Sequence, residues 1–145
     1  MIMDIEIKPS VLKAIHDIAE KTYPYECCGF IFGEAGQPLR AEEVREVVNN
    51  SNENHKVHYT IPPLEFMRAE RYALENNKLL VGVFHSHPDH PPRPSARDLE
   101  DALPELSYFI TSVHQGQALD TRSWRLSEQR VFQEETLKIN YHSNN

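Results

Sequence analysis

Two stripes of apolar residues with helical spacing mark the positions of the main helices. After Pro9, apolar side chains recur every three or four residues, which predicts an amphipathic helix. The residues of this first stripe are Val11, Leu12, Ile15, Ile18 and Ala19. The second stripe follows the proline pair 62–63, ends near Asn76, and consists of Phe66, Ala69 and Ala73. A third, short helix is predicted over residues 95–103.

Shorter apolar runs between these helices predict strands. They cover residues 5–7 (as an edge strand), 26–32, 44–48, 58–61, 79–84, 106–113, the stretch around Trp124 and Leu126, and 131–139. The run 79–84 contains no polar side chain, as expected of a strand buried on both faces. His58 begins one of these strands; it could face a substrate cleft, but we expect it to have a structural role. Strands outnumber and alternate with helices, which predicts a mixed α/β (α+β) fold in one domain, 1–145, with a frayed tail at 140–145.

Composition and charge exclude several classes of function. The chain has 145 residues and a net charge of −7 without any block of Lys or Arg, so we expect neither nucleic acid nor a membrane as partner. No charged start leads into an apolar segment, and we expect no signal peptide or membrane span. Cys27 and Cys28 are adjacent and cannot staple distant segments, which predicts a cytoplasmic location. No sequence feature indicates an oligomeric state.

His85 and His87 follow the apolar run 79–84 and lie on one face of the predicted strand. Because strand side chains alternate between faces, the two imidazoles point the same way, about 6.6 Å apart along the backbone. A loop with four prolines follows, and Asp98 comes in the first turn of the third predicted helix. Two histidines and one carboxylate leave one position of a tetrahedral zinc open, as in catalytic sites. The spacing therefore predicts a zinc site with these three ligands.

The same region also has explanations that involve no such site. Ser95 and Asp98 have the spacing of a capping box, in which the serine caps the helix and the aspartate stabilises its first turn. Glu26 begins an apolar strand, where a carboxylate either faces water or belongs to the predicted site. Cys27 and Cys28 fit small buried hydrophobic positions, although two thiolates could also complete a zinc site with two histidines.

A second metal-binding pattern overlaps the first. Residues 85–90 match the His-x-His-x-Asp-His signature of metallo-β-lactamase-fold hydrolases, which predicts Asp89 and His90 as ligands of a second metal. Those two-metal sites need further ligands downstream, where the remaining histidines of this chain are His114 and His142. This pattern therefore ranks second.

Three separated segments together resemble the JAMM (MPN-plus) motif of zinc metalloproteases. They are Glu26, then His85-Ser86-His87-Pro88, then Ser95-Ala96-Arg97-Asp98. The segment Glu26-Cys27-Cys28-Gly29 is similar to that of the small bacterial and archaeal branch, whose members process ubiquitin-like sulfur carriers. The resemblance implies a fold like that of cytidine deaminase, with a curved mixed sheet flanked by helices.

The resemblance also implies a mechanism and a substrate. His85, His87 and Asp98 would bind one Zn²⁺ per chain, Glu26 would act as general base, and Ser95 would donate a hydrogen bond to the oxyanion. The enzyme would hydrolyse a peptide or isopeptide bond after the C-terminal Gly-Gly of a ubiquitin-like or sulfur-carrier protein. The non-enzymatic alternative is an MPN-type module that binds such a partner without cutting it.

Overall fold

The structure is a computed structural model that describes residues 4–141, a range that contains seven strands and three helices. The strands are β1 (Asp4–Ile7), β2 (Cys28–Glu34), β3 (Leu39–Val47), β4 (Leu79–Pro88), β5 (Ser107–His114), β6 (Gln117–Leu126) and β7 (Phe132–Ile139). The helices are α1 (Pro9–Thr22), α2 (Pro63–Glu75) and α3 (Ala96–Asp101). This alternation confirms the mixed α/β class. The predicted tail lies outside the described residues from position 142 onwards.

The seven strands form one curved, mixed sheet in the order β1-β3-β2-β4-β5-β6-β7. β1 also pairs in parallel with β7, so the sheet closes into a barrel. The prediction of β1 as an edge strand is therefore wrong, because β3 and β7 flank it on its two sides. Its inward residues Ile5 and Ile7 are fully buried. No helix in the described part of the chain is long and apolar enough to cross a lipid bilayer.

β4 lies between β2 and β5, and its apolar run ends at the candidate site. It pairs antiparallel with β2 and parallel with β5, so that His85 is opposite Cys28 on one side and Ile110 on the other. Every residue from Val81 to Pro88 is buried, which confirms the prediction of a strand covered on both faces for residues 81–84. The prediction is wrong for the start of the run, because Leu79 is 38% exposed and Leu80 is half-buried. Because β4 pairs with β2 on one side and β5 on the other, the backbone that carries the side chains at its end is held in place.

Two apolar clusters fill the space between the sheet and the helices. Helix α1 packs Val11, Ile15 and Ala19 into the first cluster, as its predicted stripe requires. Helix α2 packs Ala69 and Ala73 into the second cluster and contacts β4. These small side chains allow α2 to approach the sheet closely. The loop that precedes α2 therefore lies beside the end of β4.

The strand predicted over residues 58–61 is wrong, because this segment is irregular. Its backbone bonds to a side chain rather than to a neighbouring strand. The Asn49 side-chain amide donates to the His58 carbonyl at 2.9 Å, and the Asn49 Oδ1 accepts from the Thr60 amide at 3.1 Å. β3 begins at Leu39, before the predicted start, because its first residues pair with β1.

Candidate active site

The end of β4 brings the two predicted histidines together. Their Nε2 atoms are 3.1 Å apart, His85 is fully buried and His87 is 7% exposed. Strand alternation turns both rings to one face of the sheet, as the sequence predicts. The ring of Tyr59 stacks on His85 with centroids 4.4 Å apart and holds it from the side of the loop before α2.

Asp98 reaches both imidazoles from the first turn of α3. Its Oδ1 is 3.2 Å from His85 Nε2, and its Oδ2 is 3.1 Å from His87 Nε2. The capping box is also present: the Ser95 amide donates to Asp98 Oδ2 at 2.8 Å, and the Asp98 amide donates to Ser95 Oγ at 3.1 Å. The structural and the ligand explanations of Asp98 therefore hold at the same time, because a capped first turn fixes the carboxylate.

The donor atoms of this group fit a tetrahedral metal ion. Nδ1 of His87 donates to the Pro91 carbonyl at 2.8 Å, so the neutral ring presents the lone pair of Nε2 to the group. The two Nε2 atoms are 3.1 Å apart, close to the ~3.3 Å separation that zinc bonds of ~2.0–2.1 Å impose in a tetrahedron. Each Nε2 lies 3.1–3.2 Å from a different oxygen of Asp98, and one ligand atom from each of the three residues lies within 4.8 Å of the other two. Among the described residues, His85, His87 and Asp98 form a group that could hold a metal ion.

The surroundings of Asp98 favour the ionised form of its carboxylate. Burial alone would raise the pKa of Asp98, but the adjacent imidazoles of His85 and His87 hold it well below its usual range. Burial lowers the pKa of His85, although the nearby Asp98 carboxylate opposes part of that fall. Burial would lower the pKa of His87 as well, but its hydrogen bond to Asp98 and the charge of that carboxylate raise it. A neutral imidazole and an ionised carboxylate are the forms that bind a divalent cation.

Glu26 lies two residues before β2 and is 5% exposed. Burial raises the pKa of its carboxyl group to about 8, and the nearby His87 opposes part of that rise. Its Oε1 is buried and has no hydrogen-bond partner among the described residues. An acid in this state can hold or release a proton near neutral pH.

A cavity of about 420 Å³, here called the Glu26 cavity, joins this acid to the metal-binding group. Its walls include Glu26, Val57, His87, Arg93, Ser95 and Arg97. A second cavity of about 620 Å³, here called the apolar cavity, begins at Arg97 on the other side. Its walls include Tyr59, Ile61, Phe66, Arg97, Leu103 and Tyr108. The guanidinium of Arg97, which lines both cavities, is paired with the Glu53 carboxylate.

The position of Glu26 is fixed by backbone contacts from two directions. Its amide donates to the His55 carbonyl at 2.7 Å, and its carbonyl accepts from the Asn49 side chain at 3.3 Å. The next amide, that of Cys27, donates to Ser86 Oγ at 2.9 Å. The acid is therefore held between the Asn-rich loop and β4.

Comparison with known proteins identifies the family. The family described as prokaryotic homologs of the JAB domain matches residues 8–127. This chain belongs to the prokaryotic JAB family. The predicted relationship is confirmed, and the match includes Glu26, both histidines and Asp98.

Relatives of this JAB chain are named desampylase and CysO-cysteine peptidase. It is 31% identical over 109 residues to a desampylase of Pyrococcus furiosus, covering 75% of this chain and 72% of the relative. It is 25% identical over 129 residues to a CysO-cysteine peptidase of Mycobacterium bovis, covering 88% and 86% of the two chains.

Solved structures share the same fold. A protein of Desulfitobacterium hafniense has a TM-score of 0.80 and 26% identity, covering 97% of this JAB chain and 99% of the other. A JAB1/MPN domain protein of Archaeoglobus fulgidus has a TM-score of 0.59 and 16% identity, covering 94% and 96%. The predicted fold, a curved mixed sheet flanked by helices, is confirmed; closure of that sheet into a barrel is the difference.

Within residues 4–141 of this JAB domain, the ligands of the rival two-metal pattern are not assembled; His142 lies outside this range. The Asp89 carboxylate accepts from the Tyr23 hydroxyl at 2.7 Å and from the Gln115 amide at 2.9 Å. His90 lines the Glu26 cavity but does not belong to the metal-binding group. A left-handed backbone at Asp89, with φ of 58°, turns its carboxylate towards these partners.

The thiols do not join the metal-binding group of the JAB domain either. Cys27 and Cys28 are both free and buried. Burial raises the pKa of the Cys27 thiol to about 12, and Cys28 Sγ lies 3.5 Å from the Val47 carbonyl oxygen. Both behave as the small hydrophobic residues that the sequence predicts.

Sequence reasoning missed the residues that support the site rather than form it. Tyr59 stacks on His85, and Asn49 bonds both Glu26 and His58. His58 lies on the wall of the apolar cavity, where its Nδ1 is 2.7 Å from Ser51 Oγ. The run of polar residues at 49–55 was the sequence signal for such contacts, because polar side chains in a loop often form hydrogen bonds with the backbone of the same loop.

Proposed function

We propose that this protein is a zinc-dependent metallopeptidase. It hydrolyses the peptide or isopeptide bond that follows the C-terminal Gly-Gly of a ubiquitin-like or sulfur-carrier protein. The observation that carries the proposal is the convergence of His85, His87 and Asp98 beside the buried acid Glu26. Membership of the JAB family supports it, and the two free cysteines are consistent with a cytoplasmic protein.

His85, His87 and Asp98 are the residues that would hold the zinc ion. When bound there, zinc supplies Lewis-acid chemistry that makes water a nucleophile at neutral pH. The protein's own contribution is to orient the ligands. The hydrogen bond from His87 Nδ1 to Pro91 and the one from the Ser95 amide to Asp98 do this.

Glu26 moves the proton in the proposed reaction. Its carboxylate accepts a proton from the attacking water, and the same oxygen then donates that proton to the leaving nitrogen as the C–N bond breaks. The unpartnered Oε1 of Glu26 suits this transfer, because no other group of the described chain occupies it. A positioned general base of this kind accelerates hydrolysis by about 10²–10⁴-fold.

Ser95 stabilises the oxyanion in this proposal. Its Oγ accepts the Asp98 amide as helix cap, which leaves its own O–H free to donate. Ser95 also lines the Glu26 cavity, on the side where Asp98 enters the group. Loss of one oxyanion donor typically lowers the rate about 10²–10³-fold.

The substrate class rests on the relatives. They are named desampylase and CysO-cysteine peptidase, which supports hydrolysis at a ubiquitin-like or sulfur-carrier protein. Two cavities that share Arg97 as a wall residue lie near the metal-binding group. Such a pair of cavities can take the acyl chain on one side of the cleaved bond and the leaving group on the other.

Two variants test the proposal, with a ubiquitin-like carrier bearing one residue after Gly-Gly as the substrate. Glu26→Ala should keep one zinc per chain and lose cleavage by at least about 10²-fold, because the base is gone while the ligands remain. His87→Ala should lose zinc as well, measured by metal analysis of the purified protein. Zinc binding without cleavage by the wild type would instead support the non-catalytic MPN-type module.

A further inference from the structure

The Glu26 cavity contains one arginine whose charge no other described residue neutralises. All nine arginines of the chain lie in the described range. The guanidinium groups of eight of them have an ion pair, a hydrogen bond or an aromatic ring as partner. The exception is Arg93, whose guanidinium has no such partner among residues 4–141 although it lines the cavity beside Glu26 and His87.

The backbone that carries Arg93 is fixed at several points. Pro92 and Pro94 flank it, and its own amide donates to the Pro91 carbonyl at 2.9 Å. The indole N–H of Trp124 donates to the Pro92 carbonyl at 3.0 Å. A cation on such a loop is presented to the cavity by a rigid backbone rather than by a loose one.

The chemistry of the proposed reaction determines which part of the substrate lies near Arg93. Glu26 must reach the leaving nitrogen to deliver its proton, so the leaving group occupies the cavity that Glu26 lines. Arg93 is a wall residue of that same cavity, whereas the walls of the apolar cavity include neither residue. Arg93 therefore faces the leaving group.

We propose that Arg93 binds a carboxylate of the leaving group and makes the protein selective for substrates that release an amino acid with a free α-carboxylate. The inference rests on the proposed function and narrows its substrate class. A guanidinium binds a carboxylate through two parallel hydrogen bonds, which gives both strength and orientation. On a chain of net charge −7, an unpaired cation in the cavity that Glu26 also lines is a local attractor for such an anion.

An isopeptide bond to a lysine side chain offers no carboxylate at this position, because the α-carboxyl of that lysine continues into the partner protein. The structure thus favours removal of a C-terminal residue over cleavage from a lysine. A second source of a carboxylate is an acidic side chain of the carrier itself. That source lies on the acyl side of the cleaved bond and is shared by every substrate made from one carrier.

Three fluorescent peptides with one common acyl part, Val-Gly-Gly, test the assignment. The first ends in alanine with a free carboxylate, the second in alanine amide, and the third is joined through Gly to the Nε of an amidated lysine. The zinc-loaded wild type should cleave the free acid with a kcat/KM about 10- to 100-fold above that for the amide and the isopeptide.

The variants Arg93→Ala and Arg93→Lys then assign the preference to one side chain. Arg93→Ala should lower kcat/KM for the acid to the level of the amide and leave the amide unchanged, while the lysine should restore part of the preference. Arg71→Ala, an exposed arginine of α2 paired with Glu75, is the matched control and should behave as the wild type. A preference that survives in Arg93→Ala overturns the inference.

The same experiment distinguishes the leaving group from the carrier. Equal losses for the acid and the amide in Arg93→Ala would place the arginine on the acyl side and overturn the inference as well. Repeating the series with a carrier protein whose acidic residues near the tail are neutralised would then identify the anion.

A binding measurement separates this inference from the proposed function. The affinities of the wild type and Arg93→Ala for the acid and amide peptides can be measured by fluorescence anisotropy under conditions without turnover. Tighter binding of the acid that depends on Arg93, together with no cleavage, would overturn the peptidase proposal and support the carboxylate site. Cleavage that does not distinguish the acid from the amide peptide would support the peptidase proposal and overturn the carboxylate site.

Discussion

Glu26 is an acid held in a nearly dry position by the backbone around it. Its amide and carbonyl bond to His55 and Asn49, whereas its side chain is 5% exposed and its Oε1 has no hydrogen-bond partner among the described residues. Desolvation penalises the charged carboxylate, and this is the main reason that the pKa of Glu26 rises to about 8. The environment that makes Glu26 a proton carrier therefore also destabilises the folded protein when the acid ionises.

The stability of the zinc-free protein should reveal this penalty. Below pH 4.5, the usual pKa of the acid, Glu26 is protonated in the folded and the unfolded chain. Between pH 4.5 and about 8 the unfolded chain releases the proton more easily, so this acid lowers the free energy of unfolding as the pH rises. Glu26→Gln should therefore be more stable than the wild type at pH 8, by at least about 1 kcal/mol, and equally stable near pH 4.

Urea unfolding of chelator-treated protein at the two pH values measures this difference. Glu75→Gln changes an exposed carboxyl of α2 and serves as the control, for which the stability difference should not depend on pH. An equal effect of Glu26→Gln at both pH values would contradict the buried, proton-binding state of this acid.

The loop between β3 and α2 acts as an element in its own right, and the side chain of Asn49 organises it. The amide nitrogen of Asn49 donates to the carbonyls of Glu26 and His58, at 3.3 and 2.9 Å. Its Oδ1 accepts from the amides of Ser51 and Thr60, both at 3.1 Å. The Asn49 side chain, together with the hydrogen bond from the Asn50 amide to the Thr60 carbonyl at 3.0 Å, thus takes the place of the strand pairing that the sequence predicts for residues 58–61. It also ties the loop to Glu26.

Asn49→Ala should loosen this loop without removing any proposed ligand. We expect the free energy of unfolding to fall by about 1–3 kcal/mol, because several backbone groups lose their partner. We also expect kcat to fall while zinc content stays at the wild-type level, since Glu26 is no longer held in place. Asn54→Ala, which removes one exposed hydrogen bond to Lys56 from the same loop, is the control. Loss of zinc in Asn49→Ala would show that the loop supports the ligands instead.

The sequence predicted most elements because their apolar spacing is local. The stripe of α1 and the buried run of β4 can both be read within one segment. Asp98 could be predicted with His85 and His87 for the same reason, since a short loop joins them. The contacts of Asn49 and Tyr59 depend on how the loop before α2 folds over β4, and a single sequence carries no spacing signal for that arrangement.

At the scale of the molecule, the closed barrel joins the two ends of the described chain. Asp4 to Ile7 pair with Thr136 to Ile139, in parallel and in register. Such a long-range pairing leaves no mark in local hydrophobic spacing, which explains why β1 is predicted as an edge strand. The two histidines of the site lie on β4, which two strands on either side separate from the β1–β7 junction.

Zinc binding should raise the stability of the whole domain, because only the folded chain assembles the three ligands. At a free zinc concentration 100-fold above the dissociation constant, the free energy of unfolding should increase by about 2.7 kcal/mol. Thermal unfolding with and without a chelator measures the shift. His87→Ala should show no shift, and magnesium, which prefers oxygen ligands, should leave the wild type unchanged. An equal shift for the variant would place the metal elsewhere.

The double use of the Asp98 carboxylate has a consequence for protein engineering. The histidines stand on a strand clamped between β2 and β5, and the shape of that strand does not depend on their rings. Asp98, by contrast, also locks the first turn of the helix on which it stands. Retuning metal selectivity by exchange of this aspartate therefore requires a redesigned helix start. Exchange of a histidine instead removes the Tyr59 stacking of His85 or the hydrogen bond from His87 to Pro91.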